Sequence, residues 1–472
     1  MSAVARTLAA SMLALALGAC AEFSPDGGMS EVTRLVGAGI GGEATKITSE
    51  ADAARVRERV EALLREPLTA DIAARIALLN NRGLQAAYND LGLTEIAGVE
   101  SGLPPNPKLT LSRVAGNGEV ELEFRLLGNI LGLLTLPARR EMARQRFAQA
   151  QHVAAEATFR TALEARRAWV AAVAAQQIVG YLEQSRMAAD ATADLMRKLG
   201  ETGGATRIEQ ARASAAYAEL GAQVAEARLR ARAAREKLAR VLGTWETTHA
   251  LRLQNQLPAL PRAVERVANV ETEAVKGRVD LAIARQEVAI LARSLKFTES
   301  ARFVSLLELS GVVKSAGDAD ATKDSGGLEL EIEIPIFDGG EVKQRREREL
   351  YMRAVNRLAE RAVNARSEAR AGYETYLATH EIALQYQNRV LPLRRIVAQE
   401  TLRQCNGMLV DVFDLLIEAR ERNVSNIAAI EARRAFLLAE IDLRAALVGG
   451  GTGGASTESP TTPAAAKAGG GH

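Results

Sequence analysis

The stretch that decides the fold is Gly327 to Arg346, which reads GLELEIEIPIFDGGEVKQRR. It opens with strict alternation, because Glu329, Glu331 and Glu333 alternate with leucines and isoleucines at positions 328, 330, 332 and 334. This period of two predicts a strand with one apolar and one charged face. The Asp338-Gly339-Gly340 turn follows, and the chain is then free of proline until Pro392. A short two-faced strand therefore leads directly into a helix of more than about 50 residues.

An earlier stretch has the same organisation. Residues 119–126 alternate between the apolar set Val120, Leu122, Phe124 and Leu126 and the charged set Glu119, Glu121, Glu123 and Arg125. Pro137 then opens a second long run without proline, which lasts to Pro258. Aligning Leu84 with Leu281 gives a repeat of about 197 residues, far longer than solenoid repeats. The chain is therefore predicted to be a duplicated half-protein.

The repeat and the proline and glycine positions predict the domain organisation. Residues 1–19 are predicted to be a signal peptide, and residues 20–70 a lipid-anchored leader that is extended up to Ser49. The first repeat covers residues 71–250 and the second covers residues 262–448. Each repeat is expected to contain a helix, a β-hairpin and a pair of long helices. Residues 449–472 are rich in Gly, Ala, Thr and Pro without apolar periodicity, which predicts a disordered tail.

Composition excludes several classes of protein. The net charge of +2 offers no basic field for nucleic acid. Aromatic residues make up only 4% of the chain, which suits long, closely packed helices better than globular cores. The four histidines share no metal-ligand spacing, and no arrangement typical of a catalytic site is present. We therefore expect neither an enzyme nor a metal or other bound cofactor.

The N-terminus is typical of an exported protein. The apolar run from Leu8 to Leu17 is too short to span a bilayer. The Leu17-Gly18-Ala19-Cys20 sequence that follows resembles the bacterial lipobox, in which the cysteine is diacylated, for example with palmitate, and becomes the first mature residue. The alternative is an ordinary signal peptide with a chance cysteine. Apart from Cys20 the chain contains one cysteine, Cys405, so no disulfide is expected if Cys20 carries lipid.

The two-faced strands indicate a membrane barrel. Four strands per chain cannot close a barrel, but three chains would supply twelve strands, which lies within the range of membrane barrels. Lipid would then cover the apolar face, and the glutamates would line the lumen. The predicted fold is mainly α with a small membrane β-barrel, in which long helices form a trimeric α-barrel below twelve strands. The alternative is two amphipathic hairpins that pack on the protein's own helices.

The motifs resemble the TolC family of outer-membrane efflux proteins, in its lipoprotein branch, over nearly all of residues 20–448. The resemblance rests on the lipobox, the Asn80-Asn81-Arg82-Gly83-Leu84 segment, the Pro-Asn-Pro at 105–107, the Pro-Ile-Phe-Asp-Gly-Gly at 335–340 and the duplication. It implies a homotrimeric conduit in the outer membrane, anchored by lipid and with a long periplasmic portion. It also implies two partners, a periplasmic adaptor protein and an inner-membrane pump.

The resemblance also implies site residues. Asp411 and Asp414 match the Asp-x-x-Asp spacing of the family's periplasmic gate, although they lie about two residues closer to Gly407 than usual. Three chains would place six carboxylates around a constriction that attracts cations. The alternative is a solvated helix N-terminus, where the helix dipole favours aspartate. Two turns are predicted as adaptor-docking tips, with glycines that permit tight reversal: Gly200, Gly203, Gly204 and Gly407.

The predicted function is therefore passive conduction of substrates that the pump and adaptor deliver. The alternative function is a periplasmic coiled-coil lipoprotein scaffold without a channel. The duplicated hairpins favour the channel, because a scaffold has no need of lipid-facing strands. Nothing in the sequence identifies the substrate.

Overall fold

The computed structural model of the chain describes residues 23–40, 44–116, 119–244, 251–300, 306–317, 322–333, 336–407 and 409–449. The predicted signal peptide, the predicted lipid site at Cys20 and the predicted tail beyond Gly449 lie outside the described residues. The helices are α1 (Met29–Ile40), α2 (Glu50–Leu64), α3 (Ala70–Asn80), α4 (Arg82–Gly102), α5 (Ile130–Leu134), α6 (Leu136–Glu201), α7 (Arg207–Leu242), α8 (Val270–Gly277), α9 (Val279–Ser300), α10 (Glu341–Gln385), α11 (Leu391–Asn406) and α12 (Val412–Val448). The strands are β1 (Lys108–Gly116), β2 (Glu119–Asn129), β3 (Leu306–Gly317) and β4 (Thr322–Glu333).

Two very long helical rods dominate the fold. Helix α6 has 66 residues and is therefore roughly 100 Å long. Helices α10 and α11 are joined by a π-helical segment, Tyr386–Val390, immediately before Pro392. A proline removes one backbone donor and its ring crowds the preceding turn, and a wider π turn accommodates both effects. The rod therefore passes through Pro392 without ending.

The four strands form one antiparallel sheet in the order β1-β2-β3-β4. The two hairpins are joined by pairing of β2 with β3, in which Phe124 lies opposite Val313. The polar sequence of residues 314–325 is typical of a loop between strands, but most of it is paired in the sheet. In the structure β3 continues to Gly317 and β4 begins at Thr322, because backbone pairing of Lys314 with Ser325 and of Ser315 with Asp324 extends the hairpin.

The leader is not extended as the sequence analysis predicted. Helix α1 occupies residues 29–40, and its Val32 and Val36 are fully buried against α6 and α4. Their spacing of four residues places both side chains on one face of a helix, and Met29 extends that face. Burial of this short apolar stripe explains why a glycine-containing segment is helical here.

Helices α3 and α4 were predicted as one helix, but the chain breaks at Asn81. The Asn81 backbone is extended, and its side-chain oxygen accepts a hydrogen bond from the Leu84 N–H at 3.0 Å as the N-cap of α4. Its amide nitrogen donates to the Val241 carbonyl at 2.9 Å, and Asn80 donates to the next two carbonyls at the end of α7. The two asparagines therefore cap the start of one helix and the end of another.

The second repeat has the same break at Arg278, between α8 and α9, which were also predicted as one helix. The Arg278 side chain is buried and forms ion pairs with Asp280 at 2.8 Å and Glu368 at 2.6 Å. It also donates to the Ala446 carbonyl near the end of α12, as Asn81 does near the end of α7. Burial alone would lower the pKa of Arg278, but the hydrogen bonds to Asp280 and Glu368 raise it above its ordinary value.

The buried core lies along the middle and the sheet-proximal part of the rods. One cluster joins α2, α3, α6, α7 and α12 around Trp169, whose indole N–H donates to the Leu68 carbonyl at 2.7 Å. A second cluster joins α1, α3, α4, α6 and α9, and a third joins α8, α10 and α12. The core therefore fixes the rods near the sheet and at mid-length.

Candidate functional site

The sheet has two chemically different faces, and the register assigns each residue to one of them. Residues directly opposite one another in an antiparallel sheet project to the same side. Leu109, Leu126, Gly311 and Leu328 form one row, and Leu111, Phe124, Val313 and Gly326 form the next. Leu309 lies opposite Leu330, and Leu307 lies opposite Ile332. Most of the large apolar residues of the four strands therefore share one face, whereas Val114, Leu127, Leu306 and Val312 lie on the other.

This apolar face is exposed to an unusual degree. Leu328 is 83% exposed and Leu109 is 72% exposed, and Leu111, Phe124, Leu126, Val313, Leu330 and Ile332 are also exposed. Soluble proteins rarely expose contiguous apolar patches of this kind. The alternative in which the hairpins pack on the chain's own helices is therefore not what the structure shows, since that packing would bury these side chains.

The opposite face carries the glutamates that the sequence analysis singled out, together with cations that it did not weigh. Arg125 forms ion pairs with Glu123 and Glu329, both at 3.0 Å. Lys314 lies 3.3 Å from Glu123 and 3.8 Å from Glu121. Glu331 lies opposite Glu308, Glu333 opposite Leu306 and Glu119 opposite Gly116. The charged face is therefore a cross-linked network that remains acidic, rather than a row of isolated carboxylates.

The first predicted tip connects α6 to α7. Its turn closes through a hydrogen bond from the Gly204 N–H to the Leu199 carbonyl at 2.7 Å. Gly203 has a φ of +78°, a conformation that favours glycine. A Cβ at Gly200 would lie 2.0 Å from the Gln210 amide nitrogen, so a larger residue would displace that side chain. Three of the four predicted tip glycines therefore lie in this turn, and two of them have a structural reason to be glycine.

The second predicted tip connects α11 to α12 and closes in the same way. The Leu409 N–H donates to the Gln404 carbonyl at 2.9 Å, five residues back, as Gly204 does to Leu199. Gly407 has a φ of −83°, which any residue can adopt. The sequence analysis attributed the tight reversal to Gly407, but its backbone conformation does not require a glycine.

Asp411 and Asp414 lie at the start of α12, and both are exposed. Asp411 is the N-cap of this helix, and its side chain accepts a hydrogen bond from the Asp414 N–H at 3.0 Å. Asp414 lies in the first turn, where the helix dipole favours a negative charge. Within one chain these carboxylates therefore have the geometry of the alternative reading, a capped helix N-terminus. Their role at a constriction between chains stays a prediction.

The two tips contact one another through residues that the sequence analysis missed. The Arg212 guanidinium on α7 lies over the Phe413 ring on α12, 4.2 Å from its centre. The pKa of Glu209 lies below its ordinary value, mainly because its carboxylate accepts a hydrogen bond from the Thr206 N–H and, with a smaller effect, one from the Thr206 hydroxyl. The nearby negative charge of Asp411 raises this pKa. The Thr206-x-x-Glu209 capping box is the sequence pattern that could have identified part of this site. It would have located Glu209, but not its proximity to the second tip.

No cluster of three or more potential metal ligands occurs among the residues that the structure describes. None of the helices in the described part of the chain is both long enough and apolar enough to cross a membrane. Cys405 is a free cysteine and is partly exposed.

Comparison with solved structures identifies the fold that this chain shares with other proteins. No protein-family model matches the sequence, and no curated protein matches it. The crystal structure of CusC, described in terms of transmembrane channel formation, aligns with a TM-score of 0.68 at 15% identity, over 84% of this chain and 92% of that chain. The outer membrane protein VceC of Vibrio cholerae aligns with a TM-score of 0.65 at 15% identity, over 84% and 97%. The chain has the fold of TolC-like outer-membrane channels.

A membrane protein from Pseudomonas aeruginosa aligns equally well, with a TM-score of 0.69 at 15% identity over 82% of this chain and 93% of that chain. The alignments cover nearly the full length of the solved chains. The resemblance of the sequence motifs to this fold is therefore confirmed by the structure.

Proposed function

We propose that the protein is the outer-membrane channel of a tripartite efflux system, in which three copies form one conduit. The observation that carries this proposal is the exposed, two-faced sheet at one end of the long rods. Among the residues that the structure describes, neither edge of the sheet has a neighbouring strand, since β1 and β4 are the outer strands. Exposed edges with an apolar face are unfavourable in water, and closure into a barrel removes the edges.

Three copies supply the twelve strands that a barrel of this kind needs. The apolar face then contacts lipid, and the network around Arg125 and Lys314 lines the lumen. The rods continue the conduit below the membrane to the two tips, where we place the adaptor and pump contacts. Substrates pass through without chemical change, because the lumen-lining residues are ion pairs and glutamates rather than a catalytic constellation.

We further propose that Cys20 carries lipid and anchors the chain in the same membrane. Ser24 is tied to α4 by a hydrogen bond from its N–H to Glu95 at 2.6 Å. Along α4, Glu95 lies roughly 10 Å from the end of the helix at Gly102. The four residues from Cys20 to Ser24 can span at most about 14 Å, which exceeds this distance. An acyl chain on Cys20 therefore reaches the level at which the sheet begins.

The test is the mass and outline of the detergent-extracted protein, followed by conductance in planar bilayers. We expect a particle of three chains with a tube longer than about 100 Å, since α6 alone is roughly that long, and discrete conductance steps. A monomer or dimer that forms no pore would contradict the channel and favour the scaffold. Mass spectrometry of the mature N-terminus tests the lipid separately, because an unmodified Cys20 would remove the anchor without affecting the pore.

A further inference from the structure

The exposed edge strands of the sheet, β1 and β4, restrict how neighbouring copies can pair. Nearly every residue of β4 from Lys323 to Glu333 is exposed, as are Lys108 to Leu111 at the start of β1. Strand β1 runs away from the helices and β4 runs back toward them. In a closed ring of copies, β4 of one copy therefore lies antiparallel to β1 of the next. This inference rests on the proposed function, because it assumes that the sheet closes with other copies.

Two conditions restrict the register of this pairing. The apolar face must continue across the joint, so Leu109 and Leu111 must lie opposite Leu328, Leu330 or Ile332. All nine residues of β1 must also find partners within the twelve residues of β4, so that no backbone group of β1 is left unpaired. Only two registers satisfy both conditions. They place Lys108 opposite Glu331 or opposite Glu333.

We infer that Lys108 of one copy pairs with the glutamate end of β4, Glu331 or Glu333, in the next copy. Both allowed registers oppose a cation to a carboxylate on the charged face, which favours this edge-to-edge contact over random association. The two glutamates lie beside Glu308 and Glu329 within their own chain, where Arg125 pairs with Glu329, so these four carboxylates still leave an excess of negative charge. A lysine from the adjacent copy offsets that excess.

The same pairing gives a partner to the Pro-Ile-Phe-Asp-Gly-Gly motif. Phe337 is fully exposed and Ile336 is 75% exposed, in a turn where the Gly340 N–H donates to the Asp338 carboxylate at 3.0 Å. This turn follows β4, and Leu103, which is itself exposed, precedes β1. Antiparallel pairing brings the end of β4 beside the start of β1 in the next copy. The two exposed apolar side chains of the turn then lie alongside Leu103 and the prolines that follow it.

Paired cysteines test the inference in the full-length protein. In a Cys405→Ser background, Lys108→Cys is combined with Glu331→Cys or with Glu333→Cys, and membranes are oxidised before non-reducing electrophoresis. Within one chain, β1 and β4 are separated by three strand spacings, about 14 Å, which no disulfide spans. Any bond between these positions is therefore between copies. We expect dimer and trimer bands with one of the two pairs and their loss on reduction.

The control pair is Lys108→Cys with Lys323→Cys, at the far end of β4, which should give no cross-link. Cross-linking of this control pair alone, or of none of the pairs, would overturn the predicted joint. The particle mass separates the two ways of failing. A three-chain particle without the cross-link leaves the channel intact and rejects this edge pairing, whereas the absence of a three-chain particle rejects both. Charge reversal adds a second readout, since Lys108→Glu should reduce the trimer fraction and Glu331→Lys combined with Glu333→Lys should restore it.

Discussion

Leu309 on β3 gives the sharpest test of the lipid-facing surface. It lies in an inner strand, opposite Leu330, and 40% of its surface is exposed on the apolar face. A lysine at the midplane of a membrane barrel's lipid face costs roughly 2–4 kcal/mol. At about 1.36 kcal/mol per factor of ten, this corresponds to roughly a 30- to 900-fold loss in the equilibrium for insertion of each chain. A trimer would carry three such lysines.

The measurement is the amount of folded trimer in outer-membrane fractions, compared with total expression. Glu308→Lys is the matched control, because Glu308 is the adjacent residue of the same strand and faces the other way. Glu308 lies opposite Glu331, so a lysine there replaces two opposed like charges with an ion pair. We expect normal levels for Glu308→Lys and severe loss for Leu309→Lys. Equal levels of the two variants would refute the assignment of the faces.

Three further changes test the tips and the helix caps. The double variant Asp411→Ala, Asp414→Ala should weaken block of single-channel current by divalent cations, and unchanged block would remove both residues from the gate. The control Asp411→Asn keeps the helix cap, which is worth about 1 kcal/mol, and so separates the loss of charge from the loss of helix stability. Arg212→Gln removes the cation from the Phe413 ring, a contact worth about 0.5–1 kcal/mol, and should increase open events roughly two- to fivefold, whereas equal opening would show that this contact does not restrain the tips. Asn81→Ala should lower the free energy of unfolding by about 1–3 kcal/mol in thermal denaturation, and the exposed Arg82→Ala is its control.

The sequence predicted the parts of the fold that local patterns determine. Alternation at 328–334 and 119–126 identified two of the four strands and their faces, and the proline-free runs identified the long rods. These features are strongly periodic, so many residues in each stretch support the same secondary-structure assignment. Two of the motifs behind the resemblance to the TolC-like fold lie next to the strands, with the Pro-Asn-Pro at 105–107 before β1 and the Asp338-Gly339-Gly340 turn between β4 and α10.

The remaining features depend on contacts between distant residues, which no local pattern contains. The break at Asn81 exists because the end of α7, some 160 residues later, needs donors for its carbonyls. Helix α1 exists because Val32 and Val36 find a partner surface on α6. The proximity of Glu209 and Arg212 to the second tip likewise follows from how the two rods lie side by side. In each case tertiary packing decided between local conformations of similar intrinsic stability.

The distribution of buried contacts along the rods predicts that the tips are the end that opens most readily. Four core clusters and the caps at Asn81 and Arg278 hold the rods, and the cluster nearest the tips joins α6 and α7 through Val179, Leu182, Val224 and Ala227. Toward the first tip, Met196 and Ala213 are the buried side chains that α6 and α7 provide, and α11 has no buried residue. Segments with few buried apolar contacts open at low free-energy cost. The Arg212–Phe413 contact and the cap at Asp411 each contribute only about 0.5–1 kcal/mol, so we expect the two tips to separate at low free-energy cost. A rigid body with a weakly held end is the combination that the proposed conduit requires in order to seal at rest and open on contact.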